Sequence, residues 1–113
     1  MTNDIRIRRK PGKWCIRAGG AVLGESSDVL ELSEPGLPDM LYFPRDGIAM
    51  ALLEKSAKTT TCPKKGEASY YAIHTKSTVI EDAGWSYETP LDAVAGIAGH
   101  IAFYPDKVTV EEI

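Results

Sequence analysis

The densest chemistry in the chain is the run Thr61-Cys62-Pro63-Lys64-Lys65-Gly66-Glu67-Ala68-Ser69-Tyr70-Tyr71, where a thiol, a proline turn and two lysines lead into an aromatic strand. Positive charge beside a cysteine favours the thiolate, the form that attacks electrophiles, so Cys62 is the candidate catalytic residue. The competing reading is a buried structural thiol, since free cysteine is among the most buried residue types. Lys65-Gly66 suggests a second chemistry, because a glycine turn can aim backbone N–H groups at an anion while the lysine adds full charge. The alternative is an ordinary turn with solvated lysines. The run is no Walker loop, which needs a longer glycine-bracketed stretch ending in Lys-Ser or Lys-Thr before a helix.

Arg17 and Arg45 lie on or beside apolar strands, where an unpaired guanidinium would be costly to bury. Each needs a partner: Glu25, Glu34, Glu67 or Asp82 in a structural ion pair, or a ligand carboxylate or phosphate, which the planar fork suits. Eight of the nine aromatic residues follow Met40, in the part of the chain that also carries Arg45, Cys62 and Lys65. A small β domain cannot bury them all, so some of Tyr42, Tyr70, Trp85 and Tyr104 are expected to line a concave face. His74 and His100 are isolated, and a mixed metal site with Cys62 has no recognisable ligand spacing.

The elements that must position these residues belong to one domain. The chain has 113 residues, 43% hydrophobic and 26% charged, an ordinary globular composition. A net charge of −3 argues against general nucleic-acid binding, which needs many Lys and Arg against phosphates. No stretch approaches the ~20 apolar residues of a membrane span, and no basic-then-apolar leader opens the chain, so the expected location is the cytoplasm. Two cysteines then read as reduced thiols, with a Cys15–Cys62 bridge as the minor alternative. Arg6, Arg8, Arg9, Lys10 and Lys13 make a basic N-terminus, expected to be loosely attached over about residues 1–11.

Residues 14–18 alternate as a half-buried strand, and Gly19-Gly20 should turn it into a hairpin with 21–25. Further strands are expected at 29–34, 41–43, 58–61, 67–75 and 83–87. The runs 101–104 and 108–110 should close the fold as a hairpin around Pro105-Asp106-Lys107. Two short helices are expected, one capped by Asp46 and ending near Leu53, the other over Pro90 to Ala95 behind Thr89. The fold class is therefore mainly β, with about seven to nine strands of ~5 residues.

Four motifs together, Tyr42-Phe43-Pro44-Arg45, Thr61 to Tyr70, Trp85-Ser86-Tyr87 and Ile101-Ala102-Phe103-Tyr104, closely resemble family 427 of the domains of unknown function. The resemblance runs from Trp14 to Val110. It implies curved antiparallel sheets similar to the β-tent folds of zinc-binding chaperones and methionine sulfoxide reductases. Those relatives hold zinc with two Cys-x-x-Cys pairs, whereas Cys15 and Cys62 are solitary, so no metal and no cofactor is expected. Some family members carry a nucleotidyltransferase-like label, but this chain has no clustered Asp pair of the kind two-metal phosphoryl transfer requires.

The expected function is binding of a small ligand in an anion-tolerant, aromatic and basic pocket built from Arg17, Tyr42, Arg45, Cys62, Lys65, Tyr70 and Trp85. The alternatives are a protein–protein interaction module without catalysis and a thiol-dependent enzyme using Cys62. Exposed edge strands leave a homodimer open.

Overall fold

A computed structural model describes residues 4–113. Ten strands form three antiparallel sheets. The first sheet places β4 (Leu30–Ser33) between β1 (Arg6–Arg9) and β5 (Met40–Tyr42). The second places β2 (Trp14–Ala18) between β3 (Ala21–Ser26) and β10 (Thr109–Glu112). The third runs in order β6 (Leu53–Cys62), β7 (Gly66–His74), β8 (Val79–Ser86) and β9 (Ile101–Phe103). The fold is mainly β, as the alternating pattern predicts. Gly19 and Gly20 both take positive φ, +54° and +81°, so the β2–β3 hairpin closes through the left-handed turn that matches strand twist.

The first and third sheets are joined at their facing edges. Phe43 and Ile101 exchange both backbone hydrogen bonds, at 2.8 and 2.9 Å, which carries pairing from β5 across to β9. Side chains alternate along these strands, so each contributes to two cores. Leu41, Phe43, Ile101 and Phe103 point into a core shared with Ile16 and Leu23 of the second sheet. Met40, Tyr42 and Ala102 point the other way, into a second core with Tyr70, Tyr87, Val94 and Ile97.

Several expectations need correction. β9 and β10 are not a hairpin: β9 pairs with β8, whereas β10 crosses to β2, with Thr109 opposite Arg17. The turn at Pro105 redirects the chain between sheets rather than folding it back. Neither α-helix forms. Arg45–Gly47, Met50–Leu52 and Asp92–Ile97 are 3-10 turns, and neither Asp46 nor Thr89 provides a side-chain cap. Segments this short gain too few hydrogen bonds to offset helix nucleation, and Val94 breaks the third with a φ of −125°. Of the N-terminus expected to be loose, residues 1–3 lie outside the described residues, while Arg6–Arg9 form β1 against β4. Arg8 and Lys10 hold the buried Glu31 at 3.1 and 3.2 Å. Among the described residues no helix is long and apolar enough to cross a membrane.

Candidate functional site

Register places the site. Tyr70 of β7 lies opposite Trp85 of β8, and alternation turns Tyr71 to the reverse face of the sheet. Tyr42 arrives from β5, while Tyr87 and Tyr104 follow the ends of β8 and β9. All five rings line one cavity of about 290 Å³, closed on another side by Leu37, Pro38 and Met40. The rings brace one another. Trp85 lies 4.6 Å from Tyr104 centroid to centroid and meets Tyr42 edge-on at 6.4 Å. Its indole N–H donates to the Tyr42 hydroxyl at 3.2 Å, and the Tyr70 hydroxyl bonds Thr60 at 2.9 Å. Lys58 sits 4.7 Å from the Tyr70 ring centroid and Lys107 5.7 Å from that of Tyr104, cation–π contacts on two of the rings.

The charged wall is an ion pair. Lys65 Nζ lies 2.6 Å from Glu34 Oε1, and both side chains are largely buried, at 12% and 9% exposure. Lys64 reaches the other carboxylate oxygen at 3.7 Å. The Lys65 hydrogen bond holds the Glu34 carboxyl below its ordinary range, so Glu34 is ionised at neutral pH. Burial pushes the hydroxyls of Tyr42 and Tyr104 up to about 12 and that of Tyr87 higher still. These tyrosines therefore keep their protons at neutral pH. Cys62 is half-buried beside the cavity, its Sγ 3.9 Å from Lys65 Nζ.

Of the residues expected in one pocket, Tyr42, Lys65, Tyr70 and Trp85 line the cavity, and Cys62 touches Lys65 at its margin. Arg45 and Arg17 are elsewhere. Arg45 binds the Gly99 carbonyl and, through Nη2, Tyr71 Oη (3.2 Å), Ser86 Oγ (3.3 Å) and Glu88 (2.6 Å). Tyr71 and Ser86 belong to the reverse face of β7 and β8, so the sheet itself separates Arg45 from the cavity. Arg17 is half-exposed on β2 and pairs with Glu111 of β10 at 2.9 Å. Neither arginine uses the acidic partners considered from the sequence. The anion nest considered at Lys65-Gly66 loses a donor, because the Lys65 N–H donates to the Cys62 carbonyl at 3.2 Å within the turn.

Sequence reasoning missed Glu34 and Tyr87 as site residues. Tyr87 carries a signal, since it shares the odd-numbered face of 83–87 with Trp85. Glu34 carries none: its pairing with Lys65 depends on how the first sheet docks against the β6–β7 turn.

Among the described residues no three His, Cys, Asp or Glu side chains come together as a metal site. His74 pairs with Glu54 at 3.1 Å and His100 Nδ1 lies 3.2 Å from the Ala98 carbonyl oxygen, so the two histidines serve different places. No curated protein matches the chain. A family model described as Domain of unknown function (DUF427) matches residues 6–113, a span that holds all four sequence motifs and the whole aromatic cavity. The chain thus belongs to family 427 of the domains of unknown function.

Proposed function

We propose that this domain binds a small organic molecule in the aromatic cavity. The observation that carries the reading is the convergence of five aromatic side chains, from three strands and two strand ends, on one cavity walled by a buried ion pair. The cavity measures about 290 Å³, close to the lower end of the ~300–1,000 Å³ typical of ligand sites. Rigid rings and a few fixed polar groups are the usual composition of such sites.

Thiol catalysis has weaker support. Cys62 has Lys65 near it, but no histidine is bonded to it and its lysine is already committed to Glu34. A flat apolar docking patch, which the interaction-module reading needs, has less support than the cavity: the large exposed apolar residues include Val22, Leu37, Val79 and Leu91, and of these Leu37 lines the cavity. We place the domain in the cytoplasm, a reading supported by two free cysteines that form no bridge.

The test is native mass spectrometry of freshly purified protein, wild type beside Trp85→Ala. A co-purified mass present in the first and absent from the second is the expected result. A Trp85→Ala protein that retains the same mass would place the ligand elsewhere and overturn the assignment.

A further inference from the structure

We infer that the cavity takes an uncharged aromatic molecule, a single ring with a short arm or two fused rings. This deepens the reading of the cavity as the binding site and rests on it. Two ionised side chains line the cavity, Glu34 and Lys65, and they cancel each other across a contact of 2.6 Å. Both are largely buried, so a ligand anion could reach Lys65, or a ligand cation Glu34, only by parting them and leaving the other charge unpaired. Polar groups make no further demand: among the described residues no buried side-chain nitrogen or oxygen lacks a hydrogen-bond partner. A charged ligand would give up its water here without gaining a counter-charge, the costly case of desolvation, whereas an uncharged one gives up little.

The remaining walls are aliphatic or aromatic. Leu32, Pro38 and Met40 supply aliphatic surface beside the five rings. Trp85 stands 4.6 Å from Tyr104, tilted by 46°, and meets Tyr42 edge-on at 90°. The wall thus already combines tilted and edge-on ring contacts, the geometries in which a further ring packs. Such contacts add to the burial of area, which is all that a saturated molecule of the same size supplies. Size sets the limit: an apolar cavity of about 150 Å³ takes up one benzene. This one, at about 290 Å³, has room for a ring with a short arm or for two fused rings.

The experiment follows the indole N–H signals of the two tryptophans by NMR. Trp85 lines the cavity, whereas Trp14 lies in the second sheet with its N–H bonded to the Pro11 carbonyl at 3.1 Å, and serves as the internal control. Four compounds of nearly equal size are titrated at neutral pH: benzyl alcohol, cyclohexylmethanol, benzoate and benzylamine. Benzyl alcohol should shift the Trp85 signal and leave that of Trp14 in place. Benzoate and benzylamine should bind at least about tenfold more weakly, and cyclohexylmethanol about threefold more weakly. Glu34→Gln removes the charge of one member of the pair and keeps its shape, so the ratio of benzoate to benzyl alcohol affinity should move about tenfold toward benzoate.

A charged compound that binds at Trp85 as tightly as benzyl alcohol, a cyclohexylmethanol affinity equal to it, or an unchanged ratio in Glu34→Gln would each overturn the ligand class while leaving the cavity as the site. A Trp85 signal that none of the four compounds moves would also overturn the class, and the co-purified mass lost in Trp85→Ala would still report on the cavity independently.

Discussion

Arg45 and Lys65 both looked like ligand cations, and their surroundings assign them different work. Arg45 spends its fork inside the protein, on Tyr71, Ser86, Glu88 and a backbone carbonyl, tying the Arg45–Gly47 turn to the reverse face of β7 and β8. Removing it strands Ser86 Oγ, a fully buried atom, and one charge partner of Glu88. Arg45→Ala should therefore cost about 2 kcal/mol, with the Glu88 share reduced by solvent, and leave any co-purified mass in place. Arg45→Lys should recover little, since an ammonium cannot reproduce the fork. Chemical denaturation of both variants beside native mass spectrometry checks the two halves of that statement. The thiols differ in the same way. Cys15 is 1% exposed on β2, whereas Cys62 is half-buried at the cavity margin. Alkylation of the native protein followed by mass mapping should modify Cys62 first and reach Cys15 only on unfolding; equal rates for the two thiols in the native protein would overturn that order.

At the scale of elements, period-two alternation is local and was readable, while partner choice is global and was not. The β2–β3 hairpin follows from Gly19-Gly20 and the two runs beside it, all within thirteen residues. The β9–β10 pairing failed because a turn residue such as Pro105 reports that the chain bends, not which sheet receives it. β1 was missed since Arg6–Arg9 holds one apolar residue, Ile7, and its pairing to β4 is reinforced by Arg8 reaching Glu31, a contact across 23 residues. The two helices were misjudged for an opposite reason: the cap residues are present in sequence, but the segments are too short for capping to decide. Half of the candidate site was legible from composition, because Tyr42, Tyr70, Trp85 and Tyr104 are more large rings than a small β domain can bury; that Tyr70 and Trp85 share a face is set by the β7–β8 register, and Glu34 and the separation of Arg45 depend on how sheets dock. One docking contact is unusually tight. Gly24 of β3 lies against the backbone of Gly47 and Ile48, and a Cβ there would overlap the Gly47 carbonyl oxygen. Ala49 N–H bonds Leu23 O at 2.8 Å in the same place, so backbone cannot withdraw without losing that bond. Gly24→Ala should destabilise by about 1–3 kcal/mol, read as a fall in denaturation midpoint without a change in slope.

For the whole molecule, three carboxylates hold separate pieces together, and each has its carboxyl held below the ordinary value near 4.5. Glu34 is lowered chiefly by the Lys65 bond and joins the end of β4 to the β6–β7 turn. Burial works against Glu31 and Glu88, and their hydrogen-bonding partners outweigh it: Lys10 and Arg8 for Glu31, which ties β1 to β4, and the Tyr71 hydroxyl with the Arg45 guanidinium for Glu88. In each case the unfolded chain binds the proton more readily than the folded one. The stabilisation is therefore complete above the unfolded value and is lost as pH falls through the folded values. Glu88 is a third exposed and contributes least, because solvent screens it. Taking ~1.5 kcal/mol for each of the charge-assisted contacts at Glu31 and Glu34, the loss once both carboxylates are protonated is about 3 kcal/mol, or roughly 10–20 °C in Tm for a domain of this size. The double variant Glu31→Gln, Glu34→Gln should melt lower than wild type at pH 7 and show a much flatter profile below pH 5. Parallel profiles for the two proteins would mean that acid sensitivity resides in other groups. Glu34→Gln alone should remove about half of the slope and, because it leaves Lys65 without its carboxylate, turn this wall of the cavity from neutral to positive, which ties the acid stability of the fold to the charge of the cavity.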